Sequence, residues 1–226
     1  MSKSGFFQRI LSVFFPARCP YCRRVLDQPA VMCDRCRATL GKCPYPIPIF
    51  QGEGGQELVC LSPFLYQGAV KNAVTRFKFK DHPELSDALG SAMAEKVRPY
   101  GTAFDCVTCV PLARSRFRER GYNQSELLAR RVGKDLSIPY RDLLEKWKET
   151  PAQHTLGKNM REQNVAGVYR VKEKASIVGK QILLCDDIVT TGATLRECSR
   201  VLLEGGAASV TCCTLASAKK SLPNRL

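Results

Sequence analysis

Leu183-Leu184-Cys185-Asp186-Asp187-Ile188-Val189-Thr190-Thr191-Gly192-Ala193-Thr194-Leu195 is the stretch that decides the fold. Gln181 to Asp187 reads as a strand: an apolar run, Ile182 to Cys185, that ends in two carboxylates. A short Thr/Gly loop follows and leads into a helix from Gly192 to Gly205. Such a loop can gather backbone N–H groups around an anion, and the helix start adds its dipole. Thr190, Thr191 and Thr194 add hydroxyl donors, and Gly192 permits a left-handed turn with close backbone approach. Thr190, Thr191, Gly192, Ala193 and Thr194 are therefore the candidate phosphate ligands. Two carboxylates beside a phosphate would repel it. They suit a pair of neighbouring hydroxyls, such as the 2′ and 3′ hydroxyls of ribose, so Asp186 and Asp187 are the candidate ribose ligands. The plainer alternative is a capped helix after an ordinary strand. No Gly-Lys-Ser/Thr follows, so this is not a Walker A loop, and G-x-G-x-x-G is absent.

Outward from this stretch, strands and helices alternate. Asp105–Leu112 reads as a strand, Ser125–Leu136 as a helix with Leu127, Leu128, Val132 and Leu136 on one face, and Ala208–Leu215 as a strand. Alternation of this kind predicts an α/β fold, a parallel sheet flanked by helices, with ligands at the carboxyl ends of the strands. Upstream, Leu58–Tyr66 is extended, and Gly68–Phe79 and Ala88–Val97 are helical. Residues 46–57 carry Pro and Gly at the density of a linker. The expected division is 1–45, an N-terminal helix and metal ribbon; 46–57, a linker; and 58–226, the α/β domain.

Basic residues cluster after Val110-Pro111. Arg114, Arg116, Arg118, Arg120, Arg130, Arg131 and Lys134 face only Glu119 and Glu126. Leu112, Ala113, Arg114, Arg118 and Arg120 become candidates for neutralising pyrophosphate or tracking a nucleic-acid backbone. Tyr122 could stack on a base, whereas Asn123 and Gln124 could pin the loop by backbone hydrogen bonds. Arg130, Arg131 and Lys134 also fit a solvated helix face. The net charge of +14 agrees with a polyanionic partner.

Cys19-x2-Cys22 and Cys33-x2-Cys36 have the spacing of a closed four-cysteine zinc site, in which the metal supplies folding energy to a small segment. A redox CxxC is the rival, and it leaves the duplication unexplained. Cys43 could begin a second ribbon, with Cys60 as a further ligand. The other cysteines in apolar runs read as strand filler, and the 12 cysteines suit a reducing cytoplasm. His82 and His154 are the only histidines, which gives a histidine-centred mechanism little support. Ile10 to Phe15 is far shorter than the ~20 residues of a spanning helix. Phe6 to Phe15 reads as a short amphipathic helix, with a peripheral membrane contact as the alternative.

The segment 183–195 resembles the PRPP-binding signature of type I phosphoribosyltransferases. The wider pattern is similar to the ComF family: Val110-Pro111-Leu112, Arg118-Glu119-Arg120-Gly121-Tyr122-Asn123-Gln124, Thr150, Gln153, Arg161, Asn164-Val165 and Gly167. Pro16 to Cys22 and Arg76-Phe77-Lys78-Phe79-Lys80 fit it as well. The resemblance implies a type I phosphoribosyltransferase fold with a small N-terminal four-cysteine zinc ribbon. It implies that the loop Leu112 to Arg114 meets pyrophosphate, that Mg²⁺ accompanies PRPP with mostly water ligands, and that Lys148 to Ala166 is a mobile loop. The partners it implies are PRPP or ribose 5-phosphate, single-stranded DNA and a ComFA-like helicase, in DNA uptake (competence) or the use of external DNA. Nucleotide salvage by an active transferase is the alternative, and no catalytic residue is assigned.

Overall fold

Buried side chains along β7 (Gln181–Val189) sort by alternation. Ile182 and Leu184 enter one apolar cluster, Leu183 and Cys185 the other. A strand buried on both faces needs cover on both, and the chain supplies it. The computed structural model describes residues 16–28, 30–51, 57–79, 82–101, 103–148, 165–173 and 176–219. Among these, β1 (Ile47–Gln51), β2 (Glu57–Leu61), β3 (Phe64–Leu65), β4 (Cys106–Cys109), β7 and β8 (Ser209–Ser217) form a six-stranded sheet of order β1-β2-β8-β7-β4, with β3 also on β8. All pairs are parallel except the antiparallel edge pair β1–β2. The first described helix, α1 (Asp34–Thr39), lies in the cysteine segment. One face of the sheet is covered by α2 (Gly68–Phe79), α3 (Leu85–Val97) and α5 (Gln124–Leu136), through Val74, Phe77, Leu89, Met93, Leu128 and Val132. The other face is covered by α6 (Ala193–Glu204), through Leu195, Cys198 and Leu202, and by an antiparallel pair, β5 (Leu144–Lys146) with β6 (Tyr169–Val171).

Three features depart from the sequence expectation. Ile47–Gln51, inside the stretch read as a linker, forms β1. Its Ile47 and Ile49 are buried, and Pro48 is tolerated because an edge strand leaves N–H positions unpaired. The strand expected over Asp105–Leu112 is shorter, and the chain turns after it into α4 (Arg114–Arg120). β7 runs on past the acid pair, because Ile188 and Val189 pair with Ala216 and Ser217 of β8. No helix among the described residues is long and apolar enough to cross a membrane. Phe6 to Phe15, and residues 149–164 of the expected mobile loop, lie outside the described residues.

The cysteine ribbon docks on the sheet's helical face. Tyr21 is fully buried and meets Phe64 edge-on at 5.4 Å between ring centroids. Arg76 of α2 donates from Nη2 to the Pro20 and Tyr21 carbonyls.

Candidate functional site

The acid pair takes the sixth and seventh of the nine positions of β7. Ser125, in the first turn of α5, donates its hydroxyl to Asp186 Oδ1 at 2.7 Å, and the Asp187 N–H donates to the same oxygen at 2.8 Å. Burial pushes the Asp186 carboxyl up to about 7, and the Asp187 charge adds to the rise. The two donors and Lys78 oppose it without cancelling it. Lys78, near the end of α2, places Nζ 2.7 Å from Asp187 Oδ2. The pair therefore carries one well-neutralised carboxylate and one whose proton is held near neutrality.

Beyond the pair, Gly192 adopts φ +85°, in the left-handed region, and caps α6 without any side-chain cap. Thr191 Oγ1 accepts from Ala193 N at 3.3 Å. No acidic residue occupies the first turn of α6, so no side-chain charge of its own opposes the dipole and the remaining N–H groups there. A Cβ at Gly192 would lie 3.0 Å from Ile49 Cγ2 and 3.7 Å from Lys219 Nζ. β1 thus closes over the loop, and an ammonium stands beside it. Thr190 is exposed and Thr191 and Thr194 are half-buried, so their hydroxyls are accessible from one side. All five candidate phosphate residues fall in this one turn.

The basic stretch divides. Leu112, Ala113, Arg114 and Arg118 line a cleft of about 680 Å³ between α4 and the β5–β6 pair. Asp186, Asp187 and the Thr190–Thr194 turn are not in its lining. Arg120 is not in it either. Its guanidinium lies 4.8 Å over the Phe79 ring, and its Nη1 donates to Gln124 Oε1 at 3.0 Å. Burial and the Arg116 charge lower its pKa, and Asp187 opposes them, so Arg120 belongs with the Lys78–Asp187 group. Arg120 Nε and Gln124 Nε2 are buried without a hydrogen-bond partner among the described residues. Tyr122 cannot act as a free stacking surface. Its hydroxyl donates to the Phe77 carbonyl at 2.6 Å and its ring leans on Phe77. Asn123 pins the turn: Oδ1 caps α5 by accepting from Ser125 N, and Nδ2 donates to the Val110 carbonyl at 3.1 Å. Arg130 and Arg131 serve α5 through ion pairs with Glu126, Asp87 and Asp135.

The four predicted metal ligands do converge. The Sγ atoms of Cys19, Cys22, Cys33 and Cys36 lie within 4.8 Å of one another, with Cys19–Cys36 at 3.7 Å and Cys22–Cys33 at 3.6 Å. Tetrahedral zinc with Zn–S of ~2.3 Å sets its sulfurs about 3.8 Å apart, so the cluster fits that ion. Burial alone would raise the Cys19 thiol, yet backbone N–H groups of Cys22, Cys33 and Tyr21 lower it, while burial and the sulfurs of Cys22, Cys33 and Cys19 raise Cys36, so without a metal the four sulfurs share their protons unequally. Cys43 and Cys60 are not part of this cluster. Cys60 Sγ instead lies 3.5 Å from Thr214 Oγ1, inside the sheet. His82 pairs with exposed Glu84, and His154 lies outside the described residues.

A largely parallel sheet that delivers an acid pair into a glycine-capped helix start defines the phosphoribosyltransferase class. The sequence agrees, since residues 78–225 match the phosphoribosyl transferase domain family. The chain is 30% identical over 198 residues to the DNA utilization protein YhgH of Salmonella typhimurium, spanning 85% of this chain and 80% of that protein. It is 33% identical over 147 residues to the competence protein ComFC of Streptococcus pneumoniae, spanning 65% and 63%, and 32% identical over 156 residues to that of Bacillus subtilis, spanning 68% and 62%. The chain belongs to the phosphoribosyl transferase domain family and, within it, to the ComF group. Among solved structures, glutamine PRPP amidotransferase from B. subtilis aligns at 22% identity and a TM-score of 0.43, over 62% of this chain and 30% of that longer one.

Sequence reasoning missed Lys78, Ser125, Ile49 and Lys219. In the sequence the segment Arg76 to Lys80 stands out only as part of a family pattern, and nothing in it tells which residue meets Asp187.

Proposed function

We propose that the β7–α6 turn binds the ribose 5-phosphate moiety of PRPP or of ribose 5-phosphate itself. In this reading Asp186 and Asp187 accept from the ribose 2′ and 3′ hydroxyls, and Thr190 to Thr194 hold the 5-phosphate. The observation that carries it is the turn itself: an acid pair followed five residues on by a left-handed glycine at the helix start, with the Lys219 ammonium beside it. The loop Leu112 to Arg114 would meet pyrophosphate, and Mg²⁺ accompanying PRPP would be held mostly by water and would neutralise the leaving-group charge. The protein acts in the cytoplasm, in DNA uptake or the use of external DNA. Single-stranded DNA and a ComFA-like helicase are its partners, with zinc in the ribbon. The names of the relatives support that role, and the +14 charge suits it.

Calorimetric titration with ribose 5-phosphate, and with PRPP plus Mg²⁺, tests the site. Asp186→Asn with Asp187→Asn should abolish binding while the far-ultraviolet spectrum stays unchanged, and retained binding would remove the role given to the acids. The second reading, a transferase of nucleotide salvage, is favoured by the Lys78–Asp187 pair and by Asp186 held near neutrality, since displacement chemistry at ribose depends on the charge around that ring. Pyrophosphate release from PRPP across a panel of bases decides it. Release with any one base establishes turnover, and none with every base rejects it.

A further inference from the structure

The last turn of α2 is held from outside the helix. Arg76 Nη2 donates to the Pro20 and Tyr21 carbonyls, inside the first cysteine knuckle. Phe77 is fully buried, and its carbonyl accepts from the Tyr122 hydroxyl at 2.6 Å, where intrahelical donors run out. Phe79 lies under the Arg120 guanidinium at 4.8 Å. Lys78 leaves from the middle of this turn, and its Nζ stands 2.7 Å from Asp187 Oδ2. Both side chains are mostly shielded, at 21% and 13% exposure, so the contact is closer to a buried ion pair than to a surface one. Arg120 is the other cation acting on Asp187, and it is engaged instead by the Phe79 ring and Gln124 Oε1. One oxygen of each acid is thus taken up by the protein. Asp186 Oδ1 accepts from the Ser125 hydroxyl and the Asp187 N–H, and Asp187 Oδ2 faces Lys78. Asp186 Oδ2 and Asp187 Oδ1 have no partner among the described residues, which leaves one acceptor on each acid.

We propose that Lys78 is a positioning residue: it aims the open oxygen of Asp187 at one hydroxyl of a vicinal diol, so that the site separates ribose from deoxyribose phosphates, and Arg76 ties that aim to the cysteine ribbon. This rests on the ribose reading above and names what the acid pair selects. Neighbouring carboxylates repel, and a carboxylate with neither oxygen held turns easily about χ2. Lys78 removes both faults at Asp187, since it balances the charge and fixes the plane of the group. A deoxy sugar then leaves one shielded carboxylate oxygen without its hydrogen bond, and a carboxylate that cannot swing to another donor bears the full loss. The ribbon enters through the geometry of the helix. Arg76 and Lys78 are two residues apart, about 3 Å along the axis, so a shift of the knuckle carries the lysine with it. The cysteine segment is in this way part of the ribose site without touching it.

Calorimetric titration of the full-length protein with ribose 5-phosphate, 2-deoxyribose 5-phosphate and 3-deoxyribose 5-phosphate tests the proposal. The phosphate is common to all three, so ratios of affinity report on the hydroxyls alone. Wild type should favour ribose 5-phosphate over each deoxy sugar by about tenfold. Lys78→Met should bring one of the two ratios close to unity, the one whose missing hydroxyl is the partner of Asp187, and leave the other. Lys78→Arg, which keeps a cation on Asp187, should keep both ratios. Arg76→Gln should lower the same ratio as Lys78→Met by a smaller factor. Thermal melting without ligand gives an independent arm. Lys78→Met should lower the melting temperature at pH 8, and that loss should vanish in an Asp187→Asn background. Equal affinity of wild type for the three sugars, a Lys78→Met variant that weakens all three by one factor, a ratio untouched by Arg76→Gln, or an equal melting loss in both backgrounds would each overturn the assignment. A wild type that binds none of the three would sink the ribose reading itself, a failure told apart by an intact melting cycle.

Discussion

Asp186 takes its unusual proton affinity first from burial and then from the Asp187 charge, while the Ser125 hydroxyl opposes the rise. Asp187 is adjacent and legible. The depth of the site, and the Ser125 hydroxyl 61 residues away, are not. In an unfolded chain an aspartate titrates near ~3.9, whereas here it titrates at about 7. Between those values the folded state holds the extra proton. Stability therefore falls as pH rises from about 4 to about 7 and is level above that. Asp186→Asn should raise the melting temperature at pH 8, with the gain fading to nothing by about pH 4. Thermal scans across that range check it, and an equal shift at both ends would mean that the carboxylate is not the cause. A site that holds like charges together for a ligand gives up stability in this way. The proposed phosphate residues Thr190 to Thr194 are readable because they are contiguous. Lys78 and Lys219 are not, because only the folded chain brings them to that turn.

Among elements, the helices and the long strands β7 and β8 were legible from period and length, while the short or Pro-marked ones were not. Pro44, Pro46 and Pro48 made β1 read as a linker, yet Ile47 and Ile49 alternate inward, the signal that outweighs proline on an edge. β5 and β6 are three residues each, too short to show a period. β1 bears on the phosphate turn directly, through Ile49. Gly192→Ala should cost about 1–2 kcal/mol in denaturant unfolding, because an L-residue at that φ is strained. Adding Ile49→Ala should relieve the crowding and not the dihedral, so only part of the loss returns. Asn123→Ala removes the α5 cap and the bond to Val110 together, and should cost about 1–2 kcal/mol by the same measurement. A loss below a few tenths would mean that water replaces both contacts.

The whole molecule is tied together from both ends of the chain. The cysteine ribbon shares one apolar cluster with α2, α3 and α5, so a metal held there would stabilise more than its own turns. Purified protein should carry about one zinc per chain by elemental analysis. A strong chelator should lower the melting temperature and expose Tyr21 to solvent perturbation, and a chelated protein that melts as before would refute the closed site. A second tie is the sheet order. β8, the latest strand among the described residues, lies between β7 and the two early strands β2 and β3. While the chain is being made, β2 leaves the ribosome about 150 residues before its partner exists, at synthesis rates of roughly 5–20 residues per second. For those seconds Cys60, which finally sits opposite Cys212, waits uncovered, and Cys185 waits for Cys213. Thiols that end up sealed in the sheet are thus open to oxidation and cross-pairing only while the chain is nascent or refolding. Refolding yield should accordingly depend steeply on added reductant, although the finished protein, with those thiols buried, should be indifferent to its removal.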